Sequence, residues 1–269
     1  MQIDLDAYFR RIGYGGAREA TLGVLSELHS LHPAALPFEN LDPFLGRPVS
    51  LDPAALHTKL LDTRRGGYCF EQNALFRAAL EALGFAVTPL IARVVWMAPP
   101  DQPLAARNHM LLKVNLADGP YIADVGFGGQ LVSAPLKLIP GLEQATTEAM
   151  LRVRADGDAR FVETLLPSGW ASMYRFNLEP AELSDYEVSN WYTSTHPAFL
   201  LTTNLLAERL TPKVRASLFN ARLTRRYPDG RAEVIDLATP DDLARALDED
   251  LAITPPADAD TLFAKLPNA

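Results

Sequence analysis

The spacing of apolar residues changes after about residue 85, and this change restricts the folds open to the chain. Before it, three segments repeat apolar side chains at helical intervals: 18–32, 52–62 and 69–83. After it, the apolar segments are short and rich in β-branched and aromatic residues, with a hairpin turn signal at 118–119. We therefore predict an α+β protein in which a helical bundle precedes an antiparallel β-barrel.

The last part of the chain returns to a mixed pattern. A hairpin signal around 228–230 is followed by a helical segment that begins after Thr239. We predict three domains: a helical bundle over 1–88, a β-barrel over 89–198 and an α/β lid over 199–269. Within the bundle, we expect Pro33 and Pro37 to stop the first amphipathic helix, because proline interrupts helical hydrogen bonding.

Charge and hydropathy exclude several classes of partner. The chain carries 25 Lys and Arg against 33 Asp and Glu, a net charge of −8, which argues against a nucleic-acid binder. No apolar run reaches the ~18 residues that a membrane span needs. The first residues mix acids and bases and lack the apolar core of a secretory signal. We expect a cytoplasmic protein with neither nucleic-acid nor membrane partners.

The chain has one cysteine, Cys69, which excludes an internal disulfide and a multi-cysteine zinc site. A lone cysteine is either a small buried side chain or a nucleophile. Cys69 follows the flexible pair Gly66-Gly67 and opens a helical segment, where unpaired N–H groups and the positive end of the helix dipole favour a thiolate. Arg64 and Arg65 add positive charge. This position favours a nucleophile.

A cysteine nucleophile needs a base and a group that orients the base. His109 opens an apolar strand, and Asp124 lies within the strand that returns beside it. A turn centred at 118–119 places residue 109 opposite residue 128, on the same face as Asp124 but too far for a direct bond. Spacing alone therefore leaves open whether Asp124 pairs with His109 or accepts backbone hydrogen bonds at a strand end.

The remaining four histidines are weaker candidates for the base. His29 and His32 lie near the end of a predicted helix, where exposed or capping histidines are common. His57 lies within a helix and is expected to face solvent, and His196 precedes a proline in a loop.

Five further residues, 125–129, read VGFGG and directly follow Asp124. Their glycines would allow backbone N–H groups to approach a phosphate or a carbonyl closely. A plain loop at the end of a strand is the alternative reading.

Six segments of the chain together resemble the bacterial arylamine N-acetyltransferase family. They are IDLDAYFRRIGY (3–14), PFENLD (37–42), RRGGYCFEQN (64–73), RNHMLLKV (107–114), IADVGFGG (122–129) and NWYTSTHP (190–197). The resemblance extends to about residue 210 and is weaker beyond it. It implies a cysteine-protease-like core of helical bundle and β-barrel, with an α/β lid.

The resemblance also implies the chemistry. The family's Cys–His–Asp triad falls on Cys69, His109 and Asp124. It implies a ping-pong reaction in which acetyl-CoA, as cosubstrate, acetylates the cysteine, and an arylamine, aryl hydrazine or N-hydroxyarylamine then takes the acetyl group. The family requires no metal and allows a homodimer.

Supporting roles follow from the same matching of positions. Glu39 and Arg64 are expected to form a buried charge pair beneath the cysteine loop. Residues expected to line an aromatic acceptor pocket are Phe38, Val95 and Phe127. Residues expected beside CoA are Gly126, Phe127, Gly128 and Gly129. After the family's THP the chain continues as AFLL (198–201), a departure that affects CoA contacts and acyl-chain preference.

Three other functions remain open at this point. A macrolactam-forming amide synthase on the same fold would use a carrier-bound donor instead of CoA. A transglutaminase-like thiol hydrolase orders its triad in the same way, although the VGFGG run and the three-part length argue against it. A binding module that has lost catalysis is disfavoured by the intact triad.

Overall fold

A computed structural model describes residues 3–99 and 103–267. The α-helices of the described part are α1 (Leu5–Ile12), α2 (Leu22–Ala35), α3 (Leu41–Phe44), α4 (Pro53–Leu60), α5 (Cys69–Ala82), α6 (Leu183–Thr195), α7 (Leu200–Thr203), α8 (Pro240–Arg245) and α9 (Ala259–Ala264). A turn of π-helix, Ala246–Asp250, follows α8. Among the described residues, no helix is both long and apolar enough to cross a membrane.

The strands fall into two sheets. In chain order they are β1 (Phe38–Glu39), β2 (Ala86–Val94), β3 (His109–Leu116), β4 (Gly119–Ala123), β5 (Leu136–Lys137), β6 (Glu143–Ala145), β7 (Met150–Asp156), β8 (Ala159–Leu166), β9 (Gly169–Phe176), β10 (Leu206–Leu210), β11 (Arg215–Phe219), β12 (Arg222–Arg226) and β13 (Ala232–Asp236).

The larger sheet confirms the predicted antiparallel barrel. Its eight strands run in the order β5-β4-β3-β2-β9-β8-β7-β6, and a bridge between Pro140, which follows β5, and Val153 of β7 brings the two ends of the sheet close to each other. Alternate residues of β2, such as Leu90 and Ala92, point into the barrel and are fully buried. The fold is thus mixed α and β, with a nearly closed barrel at its centre.

The smaller sheet joins the two ends of the chain. Its order is β1-β10-β11-β12-β13, so β1 from the helical N-terminal part pairs with β10. This sheet packs with α8, the π-turn and α9 around a second apolar core that contains Leu218, Leu243 and Leu251. The domain boundaries at 88 and 198, and the roles of bundle and lid, stay predictions.

Helix ends follow the local sequence with one exception. Asp52 caps α4 by accepting hydrogen bonds from the N–H groups of Ala54 and Ala55, at 2.9 and 3.3 Å. Of the two prolines expected to stop the first amphipathic helix, Pro33 lies inside α2, which continues to Ala35 and ends before Pro37. A proline within the last turn of a helix removes one N–H donor but does not prevent the remaining turn from packing.

The hairpin between β3 and β4 turns earlier than its sequence suggests. Leu116 pairs with Gly119, so the two-residue loop is 117–118 and the turn is not centred on 118–119. Continued past its last pair, this register places Asp124 opposite Leu111, two residues from His109 on the same face. Diagonal neighbours at this separation are within reach of each other's side chains. The expected gap between His109 and Asp124 is therefore much smaller.

Candidate active site

Cys69 is the first residue of α5 and lies at the centre of the candidate site. It is 6% exposed, and its Sγ lies 3.7 Å from the carbonyl oxygen of Asn108. The turn before it depends on Gly66, because a Cβ there would lie 1.8 Å from the carbonyl oxygen of Pro37. The N–H of Tyr68 donates to the carboxylate of Glu71 at 3.1 Å, which closes the start of the helix.

His109 and Asp124 form a direct pair. The His109 Nε2 to Asp124 Oδ2 distance is 2.6 Å, and the two side chains are 2% and 0% exposed. The other carboxylate oxygen, Oδ1, accepts hydrogen bonds from Asn73 Nδ2 at 2.9 Å and from the N–H of Gly126 at 3.0 Å. Both oxygens of Asp124 are therefore occupied by donors, and Nδ1 of His109 is left for the cysteine.

The electrostatics of the pair favour a charged histidine. Burial opposes the imidazolium, but the charge and hydrogen bond of Asp124 and the hydrogen bond of Cys69 outweigh it and raise the pKa of His109 to about 10. The pKa of the Asp124 carboxyl is lowered, because His109, Asn73 and the Gly126 N–H outweigh the effect of its burial. The geometry thus stabilises an ion pair next to the thiol.

Asn73 is a residue of the candidate site that the sequence reasoning missed. Its Nδ2 also donates to the carbonyl of Met110 at 2.8 Å, and its Oδ1 accepts from the N–H of Val125 at 3.1 Å. It thereby ties the helix of Cys69 to both barrel strands that carry the pair. A signal was present, because Cys69 and Asn73 are four residues apart on one helix and so share a face.

Two aromatic rings hold the imidazole of His109. Phe127 meets it edge-on, with ring centroids 5.2 Å apart, and Tyr174 lies at 4.8 Å on a tilted plane. Phe127 and Tyr174 are both buried. The pair with Asp124 is therefore shielded from water, which strengthens its electrostatic attraction.

Gly126 allows the loop after Asp124 to touch the helix of the cysteine. A Cβ on Gly126 would lie 2.8 Å from Cys69 Cα and 2.9 Å from Asn73 Nδ2, closer than real Cβ contacts. Gly128 is equally close to another side chain, because a Cβ there would lie 2.5 Å from the ring of Phe38. The first and second glycines of the VGFGG run are therefore required by packing.

We expect Gly126→Ala to reduce kcat by about 100-fold, since a displacement of about 1 Å between catalytic groups has an effect of that size. Its methyl group would push the Asp124 loop away from the backbone of Cys69. Steady-state kinetics of purified enzyme measure the effect. Gly15→Ala is the control, because its Cβ meets nothing within 4 Å, and it should leave kcat unchanged. Equal rates for both variants would contradict the close approach.

A buried network of charges lies beneath the cysteine loop. Arg65 donates to Glu39 at 2.7 Å and to Asp42 at 2.9 Å, and Glu39 is fully buried. Lys59 bridges Asp42 and Glu71, at 2.6 and 2.7 Å. Because Glu71 also accepts from the N–H beside Cys69, the network connects the loop to α3 and α4.

The expected charge pair between Glu39 and Arg64 is wrong by one position. Arg64 is exposed and pairs with Asp248 at 2.8 Å, while Arg65 is the partner of Glu39. Arg64 lies in a bend and Arg65 in the irregular segment that follows, and of the two side chains only that of Arg65 turns inward to Glu39. The sequence contains both arginines and does not show which one turns inward.

Arg65→Gln is expected to lower the free energy of unfolding by about 3–5 kcal/mol, because it leaves the carboxylate of Glu39 buried without its cation. Arg64→Gln is the matched control and should change stability by less than about 0.5 kcal/mol, as is usual for exposed ion pairs. Urea unfolding of the two variants measures the difference. Equal destabilisation would mean that the buried pair is assigned to the wrong arginine.

His29 and His32 are not exposed, contrary to expectation. Both are fully buried in α2. His32 bonds the hydroxyl of Tyr8 at 2.9 Å and the side chain of Gln72 at 2.8 Å, which joins α1, α2 and α5. His29 Nε2 accepts the backbone N–H of Asp124 at 3.1 Å. No sequence signal placed these histidines inside, because their burial depends on how α2 packs.

The buried histidines predict an acid-labile fold. Burial lowers the pKa of His29 to about 4 and that of His32 to about 3, below the value of 6.5 expected when unfolded. Above pH 6.5 neither state binds these protons, but below it only the unfolded chain does. Stability should therefore fall by about 1.4 kcal/mol per pH unit for each histidine as the pH drops from 6.5 towards 4.

At alkaline pH, His109 affects stability in the opposite direction. Its pKa is raised, so its stabilising effect is complete below pH 6.5 and is lost as the pH rises towards about 10. Urea unfolding between about pH 4.5 and 9.5 measures the loss of stability at both acid and alkaline pH. In His32→Gln, unfolding in acid should take up about one proton fewer, so stability should fall less steeply there, while the loss of stability at alkaline pH should be unchanged. An unchanged acid slope in this variant would contradict a neutral, buried His32.

The structure does not bring all of the residues predicted for the acceptor pocket together. Phe38 packs over Gly128, and Phe127 against His109. Val95 follows the end of β2, is half-buried, and donates its N–H to the carbonyl of Met173 at 3.0 Å. None of the described contacts joins Val95 to the two phenylalanines.

Comparisons with known proteins identify the family of this chain. A family model described as N-acetyltransferase matches residues 21–258. A curated arylamine N-acetyltransferase from Mycobacterium tuberculosis is 44% identical over 221 residues, which cover 81% of this chain and 78% of the relative. The fold and the family match define the protein as an acyltransferase.

Solved structures narrow the assignment. The structure of arylamine N-acetyltransferase from M. tuberculosis matches with a TM-score of 0.93 and 40% identity, covering 97% of this chain and 99% of that chain. The Mycobacterium marinum arylamine N-acetyltransferase in complex with CoA matches with a TM-score of 0.92 and 37% identity, covering 97% and 98%. The chain belongs to the arylamine N-acetyltransferase family.

Proposed function

We propose that the protein transfers the acetyl group of acetyl-CoA to arylamines, aryl hydrazines and N-hydroxyarylamines by a ping-pong mechanism through acetyl-Cys69. The observation that carries this proposal is the 2.6 Å pair of His109 and Asp124 beside the only cysteine. The mycobacterial relatives bear the name of the activity, and one of them was solved with CoA.

In the first half-reaction, Cys69 acts as the nucleophile. His109 holds the thiol proton, and the thiolate attacks the thioester carbonyl. The tetrahedral intermediate collapses with cleavage of the bond to the CoA sulfur, and the imidazolium of His109 protonates the departing thiolate. Exchange of one thioester for another is nearly balanced in free energy, which suits a reversible first step.

In the second half-reaction, the amine nitrogen attacks the acetyl-cysteine. Aromatic amines are weakly basic and uncharged at neutral pH, so their lone pair is available without prior deprotonation. His109 accepts the amine proton as the bond to Cys69 Sγ breaks. Asp124 orients the imidazole through Nε2 and stabilises its cationic form throughout. Amide formation makes this step downhill.

The VGFGG run supports a position for CoA beside the cysteine. The N–H of Gly126 donates to Asp124, and that of Gly129 donates to Glu208, so these two groups are not offered to a phosphate. Gly129 has a φ of +90°, and a Cβ there would meet nothing within 4 Å, which leaves open space at this end of the run. We propose that residues 126–129 contact the extended arm of CoA by close approach.

Two phenylalanines support the acceptor pocket. Phe127 stands edge-on to His109, and the ring of Phe38 lies close to Gly128, the residue that follows Phe127. We propose that Phe38, Val95 and Phe127 contact the ring of the aromatic acceptor. A flat apolar wall next to the base would select aromatic over aliphatic amines.

The experiment that tests the proposed function is the intact mass of the protein after incubation with acetyl-CoA alone. We expect one added acetyl group, which addition of aniline removes as acetanilide. The absence of an adduct with acetyl-CoA and with longer acyl-CoAs would overturn the proposal. In that case, acylation from a carrier-bound thioester would indicate an amide synthase, and cleavage of peptide amides a thiol hydrolase.

A further inference from the structure

We propose that His29 is a positioning residue of this site, which holds Asp124 in place by accepting its backbone N–H on a neutral imidazole. This inference rests on the proposed function, because it concerns the same catalytic carboxylate. His29 is in α2, outside the motifs that carry the catalytic residues, and its hydrogen bond in the described structure goes to neither the cysteine nor the base.

The first argument is that Asp124 lies just beyond its strand. The pairing of β3 with β4 ends at Leu112 and Ala123, so the ladder no longer supplies an acceptor for the N–H of Asp124. His29 Nε2 occupies that place at 3.1 Å. A buried backbone N–H is nearly always paired, and here a side chain from a separate helix supplies the partner.

The second argument concerns the other contacts of Asp124. Its carboxylate oxygens are held by His109, Asn73 and the Gly126 N–H. These bonds orient the side chain, and Asn73 also holds the following residue by accepting the N–H of Val125, but none of them acts on the backbone N–H of Asp124. The bond to His29 fixes the main chain itself. Together the four hydrogen bonds determine both where Asp124 lies and where its carboxylate points.

The third argument is the cost of placing a histidine here. To accept a hydrogen bond, Nε2 must be unprotonated, so the proton is on Nδ1. His29 is fully buried, and its Nδ1 has no hydrogen-bond partner among residues 3–99 and 103–267. The ring also stands edge-on to Phe76 at 5.8 Å, a setting that a leucine would fill without an unpaired polar atom. A leucine would therefore suit the packing at this position better than histidine does. What the histidine adds is the hydrogen-bond acceptor for Asp124.

The test uses substitutions that separate the effect of losing the hydrogen-bond acceptor from the effect of losing side-chain volume. His29→Leu fills the space but removes the acceptor, whereas the side-chain oxygen of His29→Gln can take the place of Nε2. We expect His29→Leu to reduce kcat by about tenfold with little change in KM for acetyl-CoA, the size expected for one lost hydrogen bond. We expect His29→Gln to restore kcat to within about threefold of wild type.

The matched controls are His32→Leu and His32→Gln. His32 lies one turn further along α2 and is equally buried, but its hydrogen bonds go to Tyr8 and Gln72. These variants should unfold at a lower urea concentration yet keep kcat within about threefold of wild type. A merely structural role for His29 would make the leucine variants of both positions alike, and would leave His29→Gln no better than His29→Leu. Either result would overturn the proposal.

A second readout does not depend on acetyl transfer. The rate of alkylation of Cys69 by iodoacetamide at neutral pH reports the state of the cysteine and its base. We expect it to fall about tenfold in His29→Leu and to recover in His29→Gln. If wild type forms no acetyl-enzyme but alkylation follows this order, the proposed function fails and the role of His29 stands. If wild type acetylates normally and His29→Leu matches it in both assays, the role of His29 fails.

A third measurement needs no substitution. Nuclear magnetic resonance of ¹⁵N-labelled enzyme detects coupling between two nitrogens across an N–H···N hydrogen bond. We expect such a coupling between the amide nitrogen of Asp124 and Nε2 of His29, with the ring proton on Nδ1. A ring protonated on Nε2, without that coupling, would overturn the proposal even if every variant were unfolded.

Discussion

Cys69→Ser is expected to remove arylamine acetylation almost completely, with kcat reduced at least about 10⁴-fold. The structure offers one sulfur nucleophile, next to a base whose pKa is raised by Asp124. A serine hydroxyl loses its proton far less readily than a thiol, so the His109–Asp124 pair cannot form a comparable ion pair with it. Incubation with acetyl-CoA should add no acetyl group to the variant, and rapid measurement of free CoA should show no burst of its release.

The stability of the variant provides the control for this result. Cysteine and serine differ by one atom, and Cys69 is almost fully enclosed, so the variant should unfold at nearly the urea concentration of wild type. Loss of activity together with loss of structure would therefore not count as support. Acetylation within about tenfold of the wild-type rate would falsify the assignment of Cys69 as the nucleophile.

Asp124→Asn is expected to reduce kcat by about 10³–10⁴-fold, the scale seen when the carboxylate of a catalytic triad is neutralised. Stability should also fall, by about 3 kcal/mol, because a buried pair loses one of its charges. An amide has one NH₂ group, yet both oxygens of Asp124 face donors: His109 on one side, and Asn73 with the Gly126 N–H on the other. In either orientation of the asparagine, its NH₂ group therefore faces another hydrogen-bond donor.

The control is Asp118→Asn, in the loop that joins the same two strands. Asp118 is about half exposed and bonds Tyr121 and Lys137 at the surface. Its substitution should leave kcat unchanged and alter stability by less than about 1 kcal/mol. Steady-state kinetics and urea unfolding on both variants make the comparison. An Asp124→Asn enzyme that is stable and active would show that the carboxylate does not orient the base.

The local features of this chain were largely predictable from its residues. Asp52 and Thr239 cap the helices that directly follow them in the sequence, and Gly84 takes the left-handed conformation just after α5. The strands that alternate or run apolar after residue 85 form the barrel. These features depend on neighbours within a few positions, which is the range over which side-chain and turn preferences act.

Prediction failed where a choice depended on distant contacts. Which arginine of the pair at 64–65 turns inward depends on the position of Glu39, which belongs to another segment. His29 and His32 are buried because α2 packs against α1, α5 and the end of β4. The pairing of His109 with Asp124 needed a hairpin turn earlier than its residues suggested.

The sequence by itself therefore determined where helices and strands form, and that the cysteine lies at the start of a helix. Only the tertiary structure decided that His109 pairs with Asp124, and that Asn73 and His29, from two different helices, hold the carboxylate and the backbone N–H of Asp124 respectively. The physical reason is the range of the interactions. Helix caps and turns are decided by adjacent residues, whereas a buried carboxylate is held by donors and acceptors that come together only when the helices close against the barrel.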